Sequence, residues 1–438
     1  MSRTAAILIP LLFGATAVAS FVAWQEHQQL DAQAPIIHKA ALLASENDGL
    51  AAALAAAQRK AADVQNAAHR TQIEHDVASL RELSFKRPVV YESLDRDGIR
   101  QVVAGKLSEQ YSDQEIQNMS DGYSALGLLP PDYPLKKAYI GLLGEQIAAF
   151  YDQHQHKLFM FQDASLDNSQ NRVILAHELT HALQDQNFGL LKLPLEAKNN
   201  DDQALAASAL IEGDATLVMS QYMVNDISWR TFADTVTYSA TQSMAEIRKA
   251  PRYLREMLVF PYIHGQKFCA EVFARGGYPA LSAVYANPPS STAQILHPEK
   301  YFPEEREEPI PVQFSSTTFQ GEKPLADNVL GEMGCRIMLS QYFDAGVAEN
   351  VAAGWRGDRY LVFDHGKTLI WRSLWRSSEA CSTAQGALVQ WAARRYSKTL
   401  GQLCAVNRVG TNEILFVLAS TDESGNLLYK QFGGPLQK

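Results

Sequence analysis

The sequence predicts a mixed α+β protein that is mainly helical, with a small sheet in its central part and an α+β extension at its C-terminus. Two observations support this prediction. Residues 36–83 are rich in Ala, Gln, Glu and Lys and contain no Pro, which indicates a long helix. From residue 312 onward, short alternating apolar and polar runs are broken by Gly and Asp, which is typical of strands. Apolar helical segments lie between these two regions.

The composition limits the classes of protein to be considered. The chain has 438 residues, of which 46% are hydrophobic, enough for one large or two modest globular units with appendages. The formal net charge is -9 and no long basic run occurs, so nucleic-acid binding is not expected. The four cysteines show no C-x-x-C spacing. Cys381 and Cys404 are the expected pair in an oxidising compartment, with free buried thiols as the alternative.

The first region, residues 1–30, is expected to be a signal anchor or a signal peptide. Residues 4–24 follow Arg3 and contain no charge. A signal-peptide apolar core usually has about 7 to 15 residues and a membrane span about 20. We favour an uncleaved anchor, although Ala17 to Ala19 offers a cleavage site. The chain is then anchored in the inner membrane of the cell envelope and faces the periplasm or extracytoplasmic space, or is secreted if the signal is cleaved.

The second region, residues 31–85, is expected to be a helical stalk or a coiled coil. Its apolar residues alternate spacings of four and three, which is a heptad seam. The seam consists of Leu50, Leu54, Ala57, Ala61, Val64 and Ala68. Because most of these side chains are Ala, a coiled coil would be weak, and a single helix lying on the next domain is the alternative. Self-association through residues 36–83 is one expected interaction.

The third region runs from residue 86 to 307. Pro88 ends the long helix, and a short strand is expected over VVYESL, residues 89–94. Two or three amphipathic helices should follow, the last over residues 132–151. KLFMF, residues 157–161, alternates as a strand, and the histidines of the preceding turn, DQHQHK, are expected to be solvated.

The next segment, NRVILAHELTHALQDQNFG at residues 171–189, predicts a buried helix that binds a metal. His177 and His181 lie one turn apart on the same face, and Glu178 lies beside them. The surrounding residues are apolar, so these polar side chains are buried and need partners. Zn²⁺ bound by both imidazoles supplies one, in the H-E-x-x-H arrangement.

A catalytic zinc site usually has three protein ligands, so a third ligand is expected. The helical segment at residues 201–224 contains Glu212 and Asp214 among apolar neighbours. The two carboxylates are about 200° apart around the helix, so they cannot both face the metal. We predict Glu212 as the ligand and Asp214 as an acceptor that orients a ligand His or pairs with another buried donor. The reverse assignment is the alternative.

Five blocks of the sequence resemble a known family. They are FYDQHQHKLFMF, HELTHALQDQ, ALIEGDAT, PPSSTAQILHPEKYF and AAGWRGDRY. HELTH followed by a helical Glu is similar to the zincin metallopeptidases of gluzincin type, in which a downstream Glu is the third zinc ligand. The blocks in this order resemble a poorly characterised group of bacterial exported proteins, over roughly residues 80–375.

The resemblance implies a zincin-like catalytic domain over residues 86–307. It implies zinc bound by His177, His181 and Glu212, with Glu178 as the general base. It does not imply a particular substrate.

The resemblance also bears on two other segments. In zincins, an edge strand upstream of the metal helix pairs with an extended peptide, so residues 158–162 are placed for that role. An ordinary hairpin strand is the alternative. The group tends to have Glu where this chain has Ala293, so the function of that carboxylate is absent here.

His297 and Tyr301 are candidates for stabilising the negative charge that develops on a substrate carbonyl oxygen during hydrolysis. His297 precedes Pro298, which restrains its backbone. A structural hydrogen-bonding role in this turn is the alternative. His264 and Tyr262 are weaker candidates for the same catalytic role.

The fourth region, residues 308–438, is expected to be α+β. Its strands are predicted over RYLVFDH, KTLIWRSLW, EILFVLAST and NLLYKQF. A helix over SSEACSTAQGALVQWAARRYS separates the second strand from the third.

The predicted function is that of a zinc-dependent metallopeptidase that hydrolyses peptide bonds in the cell envelope. Glu178 would act as general base on a zinc-bound water, and His297 would assist. The expected partners are a peptide or protein substrate and, through the N-terminal segment, a membrane. The alternative is a zincin-scaffold protein for envelope binding or assembly, with little or no catalysis.

Overall fold

The fold is mixed α+β and mostly helical, with two small sheets, as the sequence predicts. The computed structural model describes residues 48–144, 149–161, 164–197, 199–226, 249–396 and 403–433. The predicted signal anchor lies outside these residues. Among the helices within them, none is long and apolar enough to cross a membrane.

The described part of the chain forms twelve α-helices, α1 to α12, and eight strands, β1 to β8. The N-terminal half contains α1 (Asp48–Arg81), β1 (Val90–Leu94), α2 (Arg96–Gln110), α3 (Asp113–Ala125), α4 (Leu135–Gly144), β2 (Ala149–Asp152), β3 (Lys157–Phe161), α5 (Ser169–Phe188) and α6 (Asp201–Asp226). The C-terminal half contains α7 (Arg252–Val284), α8 (Thr292–Leu296), β4 (Ala326–Asn328), α9 (Gly331–Leu339), α10 (Ala345–Ala352), β5 (Trp355–Phe363), β6 (Thr368–Trp375), α11 (Ser378–Tyr396), β7 (Leu403–Gly410), β8 (Glu413–Ala419) and α12 (Asp422–Phe432).

The first sheet has three strands in the order β1-β3-β2. β3 pairs in parallel with β1 and antiparallel with β2, so it is the central strand. The expectation that residues 158–162 form an edge strand open to a substrate is therefore wrong, because neighbours already occupy both edges of β3. The helix expected over residues 132–151 is also shorter than predicted, since Ala149–Asp152 is the strand β2 that pairs with β3.

Helices α5, α6 and α7 form the centre of the main hydrophobic core, and α1 packs against α5 and α6. On α1, the side chains of Ile73, Val77 and Arg81 are buried, whereas Val64 of the heptad seam is 66% exposed. The C-terminal part of α1 therefore lies on the domain as a single helix. Self-association through the rest of the helix stays a prediction.

The second sheet is antiparallel, in the order β4-β5-β6-β8-β7. Three predicted strands and the predicted helix α11 are confirmed. NLLYKQF was wrongly expected to be a strand and forms the C-terminal part of α12. Thr421 caps that helix, and Leu428 and Phe432, four residues apart, are both buried on one helical face. β7 was not predicted, because its side chains are mostly half-buried and show no clear alternation.

All four cysteines are free thiols. Cys381 is buried in α11, and Cys404 is half-buried in β7. The structure thus corresponds to the alternative of free thiols, and the expected pairing of Cys381 with Cys404 is not formed.

Candidate metal centre

Three side chains from two helices converge on one point in the core. Nε2 of His177 lies 3.1 Å from Nε2 of His181 and 3.1 Å from Oε2 of Glu212. The third edge of this triangle, from Nε2 of His181 to Oε2 of Glu212, is 3.6 Å. All three side chains are at most 2% exposed. We call His177, His181 and Glu212 the metal group.

Local sequence explains why the two imidazoles meet. α5 begins after Asn168, whose side chain accepts a hydrogen bond from the N–H of Gln170, and it ends at Gly189 in the left-handed conformation. Between these caps the helix is regular, so residues four positions apart lie on one face. Almost every side chain from Val173 to Leu183 is buried, so the imidazoles face the interior as the apolar pattern predicts.

The geometry fits a small divalent cation. Ligand atoms about 2.0 to 2.1 Å from a tetrahedral Zn²⁺ lie roughly 3.3 Å apart, close to the three separations observed. Two imidazoles and one carboxylate are also a ligand set that Zn²⁺ commonly has in proteins. Oε1 of Glu212 is buried and has no hydrogen-bond partner among the described residues. This unpaired oxygen indicates that a group is needed to complete the arrangement.

The electrostatics of the metal group also favour a cation. Burial lowers the pKa of His177. Burial would lower the pKa of His181 too, but the carboxylates of Glu212 and Glu178 raise it to about 9. For Glu212, the raising effect of burial is outweighed by His181 and His177, so its pKa is lowered. One positive charge is therefore stable between these side chains, and a metal ion can replace the proton that supplies it.

Glu178 lies beside the metal group and is fully buried. Its Oε2 accepts a hydrogen bond of 2.8 Å from the backbone N–H of Tyr151 in β2. Its Oε1 has no partner among the described residues. Burial raises the pKa of Glu178 to about 8. A buried carboxyl group with one oxygen unpaired, next to three candidate ligands, is arranged to accept and donate a proton.

Asp214 does not belong to the metal group but is connected to its ligand His181 through Gln184. The structure brings Glu212, and not Asp214, to the two imidazoles. Asp214 accepts hydrogen bonds from the buried Arg81 at 2.8 Å and from Tyr285 at 2.7 Å. It also accepts one from Nε2 of Gln184 at 3.1 Å. This corresponds to the predicted role of an acceptor for buried donors.

Of the residues that contact Asp214 and Glu178, only Gln184 could have been connected to the metal helix from the spacing of the sequence. Gln184 lies three residues after His181, so both share a helical face, and Oε1 of Gln184 is 2.9 Å from Nδ1 of His181. Arg81 and Tyr285 are far from α5 in sequence, and no spacing rule connects them to it. Tyr151 was expected at the end of a helix, so its backbone contact with Glu178 could not be predicted.

The candidates for a catalytic donor lie in different places. Nε2 of His297 is 2.6 Å from Oε1 of Glu332, and Nζ of Lys300 is 3.1 Å from the other oxygen of this carboxylate. Tyr301 donates its hydroxyl to the carbonyl of Asn287. Neither His297 nor Tyr301 belongs to the metal group, and the catalytic role of His297 stays a prediction.

Two weaker candidates lie on α7. The ring of Tyr262 lies 6.2 Å from the ring of His177, so it is next to the metal group. His264 stacks on Phe260 with ring centres 5.1 Å apart. Of the residues considered as donors, Tyr262 is therefore the one that the structure brings into contact range of the ligands.

The turn before β3 differs from expectation at one position. Nδ1 of His156 lies 2.7 Å from Oδ2 of Asp185 on α5, and the side chain of His156 is 49% exposed. The same carboxylate accepts a hydrogen bond from the hydroxyl of Tyr151 at 2.8 Å. His156 is thus paired with the metal helix and is not simply solvated.

A family described as a domain of unknown function (DUF8575) matches residues 318–417, which do not include the metal group. A solved structure described as "a putative hydrolase with a novel fold", from Chloroflexus aurantiacus, has 18% sequence identity and a TM-score of 0.32, and covers 54% of this chain and 87% of its own. A TM-score this low carries no argument. No curated protein matches the chain. These similarities indicate no function, so the geometry of the metal group is the observation from which a function can be inferred.

Proposed function

We propose that this protein is a zinc-dependent hydrolase of peptide bonds, built on a zincin-like domain and exported to the cell envelope. One observation supports the proposal most strongly. The buried carboxyl group of Glu178 has an unpaired oxygen and lies next to two imidazoles and a carboxylate whose ligand atoms lie within 4.8 Å of one another. A site that only stores a metal has no chemical need for this additional acid.

In the proposed reaction, the metal ion, Glu178 and Tyr151 have separate roles. When bound, Zn²⁺ would lower the pKa of a water molecule and polarise a carbonyl group. Glu178 would take a proton from the attacking water and later deliver it to the leaving amine. The N–H of Tyr151 holds one oxygen of Glu178, which leaves the other oxygen to exchange protons.

A second function is favoured by the depth of the site. The ligand side chains are at most 2% exposed, so a peptide can reach them only after neighbouring segments move apart. A metal held this deeply also stabilises a fold without catalysis. The second candidate is therefore a metal-stabilised scaffold for binding or assembly in the envelope.

Replacement of Glu178 by Gln separates the two functions. The full chain is loaded with Zn²⁺, its metal content is measured, and hydrolysis of a peptide library is followed by mass spectrometry. For a peptidase, Glu178→Gln should keep one Zn²⁺ and reduce hydrolysis by about 10²- to 10⁴-fold or more, because one residue acts in both proton transfers. Equal hydrolysis by the variant, or none by the wild type, supports the scaffold.

A further inference from the structure

A continuous chain of buried hydrogen bonds connects helix α1 to a ligand of the metal group. Arg81, in the last turn of α1, donates from Nε to both carboxylate oxygens of Asp214, at 2.8 and 3.1 Å. Asp214 accepts from Nε2 of Gln184, and Oε1 of Gln184 faces Nδ1 of His181. Arg81, Asp214 and Gln184 are each 0% exposed. We call these three residues the positioning chain.

The direction of each hydrogen bond in the positioning chain is fixed by chemistry. A carboxylate and a backbone carbonyl only accept, and the amide nitrogen of Gln184 faces both the carboxylate of Asp214 at 3.1 Å and the carbonyl of Ile211 at 3.0 Å. The amide oxygen must then point to His181, and because it only accepts, Nδ1 of His181 must carry a hydrogen. Nε2 is left to present its lone pair to a metal.

The anchor of the positioning chain is on α1. Arg81 also donates from Nη1 to the hydroxyl of Ser282 at 3.0 Å, and its guanidinium lies 4.7 Å from the ring centre of Tyr278. If α1 moved away, Asp214 would lose its buried cation and would keep the hydrogen bond from Tyr285, so its contact with Gln184 would be held less firmly. His177 has no such support, because its Nδ1 has no partner among the described residues. The two histidines are therefore not equivalent.

We propose that the positioning chain sets the orientation of His181, so that the metal affinity of the site depends on how firmly α1 is seated on the domain. The proposal rests on the metal site of the proposed function and adds a form of regulation to it. By linkage, metal binding must in turn strengthen the seating of α1.

The first test interrupts the positioning chain next to the ligand. Gln184→Leu keeps a similar volume and leaves Asp214 paired with Arg81 and Tyr285, so the variant should fold. Zn²⁺ affinity, measured in the full chain by competition with a chelating dye, should fall about 10- to 100-fold. In the Zn²⁺-loaded protein labelled with ¹⁵N-His, the Nδ1–H signal of His181 should be shifted downfield by its hydrogen bond to Gln184 in the wild type, and the variant should lose this shift. An unchanged affinity and an unchanged signal would overturn the proposal.

The second test acts on α1 and has a matched control. Arg81→Met removes the anchor, and Leu388→Ala, which is equally buried but lies on α11, loses core packing without touching α1 or the positioning chain. Arg81→Met should lower Zn²⁺ affinity at least 10-fold, while Leu388→Ala should stay within about twofold of the wild type. Equal losses in the two variants would assign the effect to general destabilisation and reject the coupling.

The third test needs no variant and covers the case in which Arg81→Met does not fold. Hydrogen exchange of wild-type α1 is compared with Zn²⁺ and with a chelator. Binding should slow exchange in the last turn, around Arg81, and equal exchange in both states would reject the coupling. If the wild type binds no Zn²⁺ at all, the proposed function fails as well. If it binds Zn²⁺ but is insensitive to Gln184→Leu, this inference alone fails.

Discussion

Gly213 of α6 lies directly against Gly265 of α7, so the two helices touch through their backbones next to the ligand Glu212. A Cβ atom added to Gly213 would overlap the carbonyl group of Gly265 and come within 2.7 Å of the backbone nitrogen of Gln266. The obstacle is backbone, which cannot rotate away as a side chain can. The close approach of these two glycines therefore fixes the position and rotation of α6, and with them the direction of Glu212.

Gly213→Ala should for this reason damage both stability and metal binding. We expect a loss of about 3 kcal/mol or more in the free energy of unfolding, and weaker Zn²⁺ binding, because α6 and α7 must move apart. Denaturant titration and dye competition measure the two effects. Gly141→Ala, at an exposed helical position where a Cβ meets nothing within 4 Å, is the control and should be neutral or gain up to about 1 kcal/mol. Similar losses in both variants would contradict the role of the contact.

Removal of a ligand imidazole should abolish stoichiometric metal binding. His177→Ala and His181→Ala each leave two ligands, so the purified full chain should lose the Zn²⁺ that the wild type holds at about one equivalent. Elemental analysis after dialysis measures this. His154→Ala, in the turn before β3, is the control and should bind like the wild type. A wild type that stays folded and takes up no Zn²⁺ would reject the site.

The two carboxylates of α6 should differ in their effect on metal. Glu212→Gln keeps the shape of a ligand but removes its charge, and it should weaken Zn²⁺ binding far more than Asp214→Asn. Asp214 acts through Gln184, so its replacement should cost about 10- to 100-fold in affinity. Chelator competition on both variants gives the comparison. The opposite ranking would exchange the roles of Glu212 and Asp214.

Asp202 should make the stability of the protein fall as the pH rises. It is buried, it accepts hydrogen bonds from the hydroxyl and the backbone N–H of Thr292, and burial raises its pKa to about 7. In the unfolded chain the pKa of an Asp is about 3.9. Between about pH 4 and pH 7 the carboxyl group of Asp202 is therefore protonated in the folded protein and ionised in the unfolded chain. The stability from this group is full below pH 4 and is lost as the pH rises through 7.

Asp202→Asn cannot ionise and should remove this dependence. Relative to the wild type, the variant should gain a few kcal/mol in unfolding free energy between pH 5 and pH 8, at about 1.4 kcal/mol per pKa unit. Urea titrations at the two pH values measure the difference. Asp167→Asn, where the side chain is 57% exposed, is the matched control. If the unfolding free energies of Asp202→Asn and the wild type differ by the same amount at pH 5 and pH 8, Asp202 is ionised in the folded protein at both.

His297→Ala distinguishes a catalytic role from a structural one. As an oxyanion donor, His297 should contribute about 10²- to 10³-fold to hydrolysis without affecting Zn²⁺ binding. As a partner of Glu332 alone, its loss should lower stability and leave the turnover of the folded fraction unchanged. Tyr262→Phe, beside His177, is the comparison. A larger loss of turnover in Tyr262→Phe would assign the donor role to that residue.

The sequence alone determined those features that depend on local geometry. The spacing of His177 and His181 places both imidazoles on one helical face wherever the helix lies, and the apolar residues around them predict burial. The strands β5, β6 and β8 follow from alternation over seven or more residues. Shorter patterns were ambiguous, and NLLYKQF became a helix because a capping Thr421 and two buried side chains four residues apart outweigh a weak alternation.

Only the tertiary structure decided which distant residues meet. Glu212 reaches the imidazoles and Asp214 does not because the contact between Gly213 and Gly265 fixes the rotation of α6. Arg81 meets Asp214 across 133 positions of the sequence, and no periodicity encodes such a separation. The strand β3 is central because two other segments pair with it. Hydrogen bonds along a helix repeat at fixed spacings and can be read from the sequence, whereas contacts between elements depend on how whole surfaces fit together.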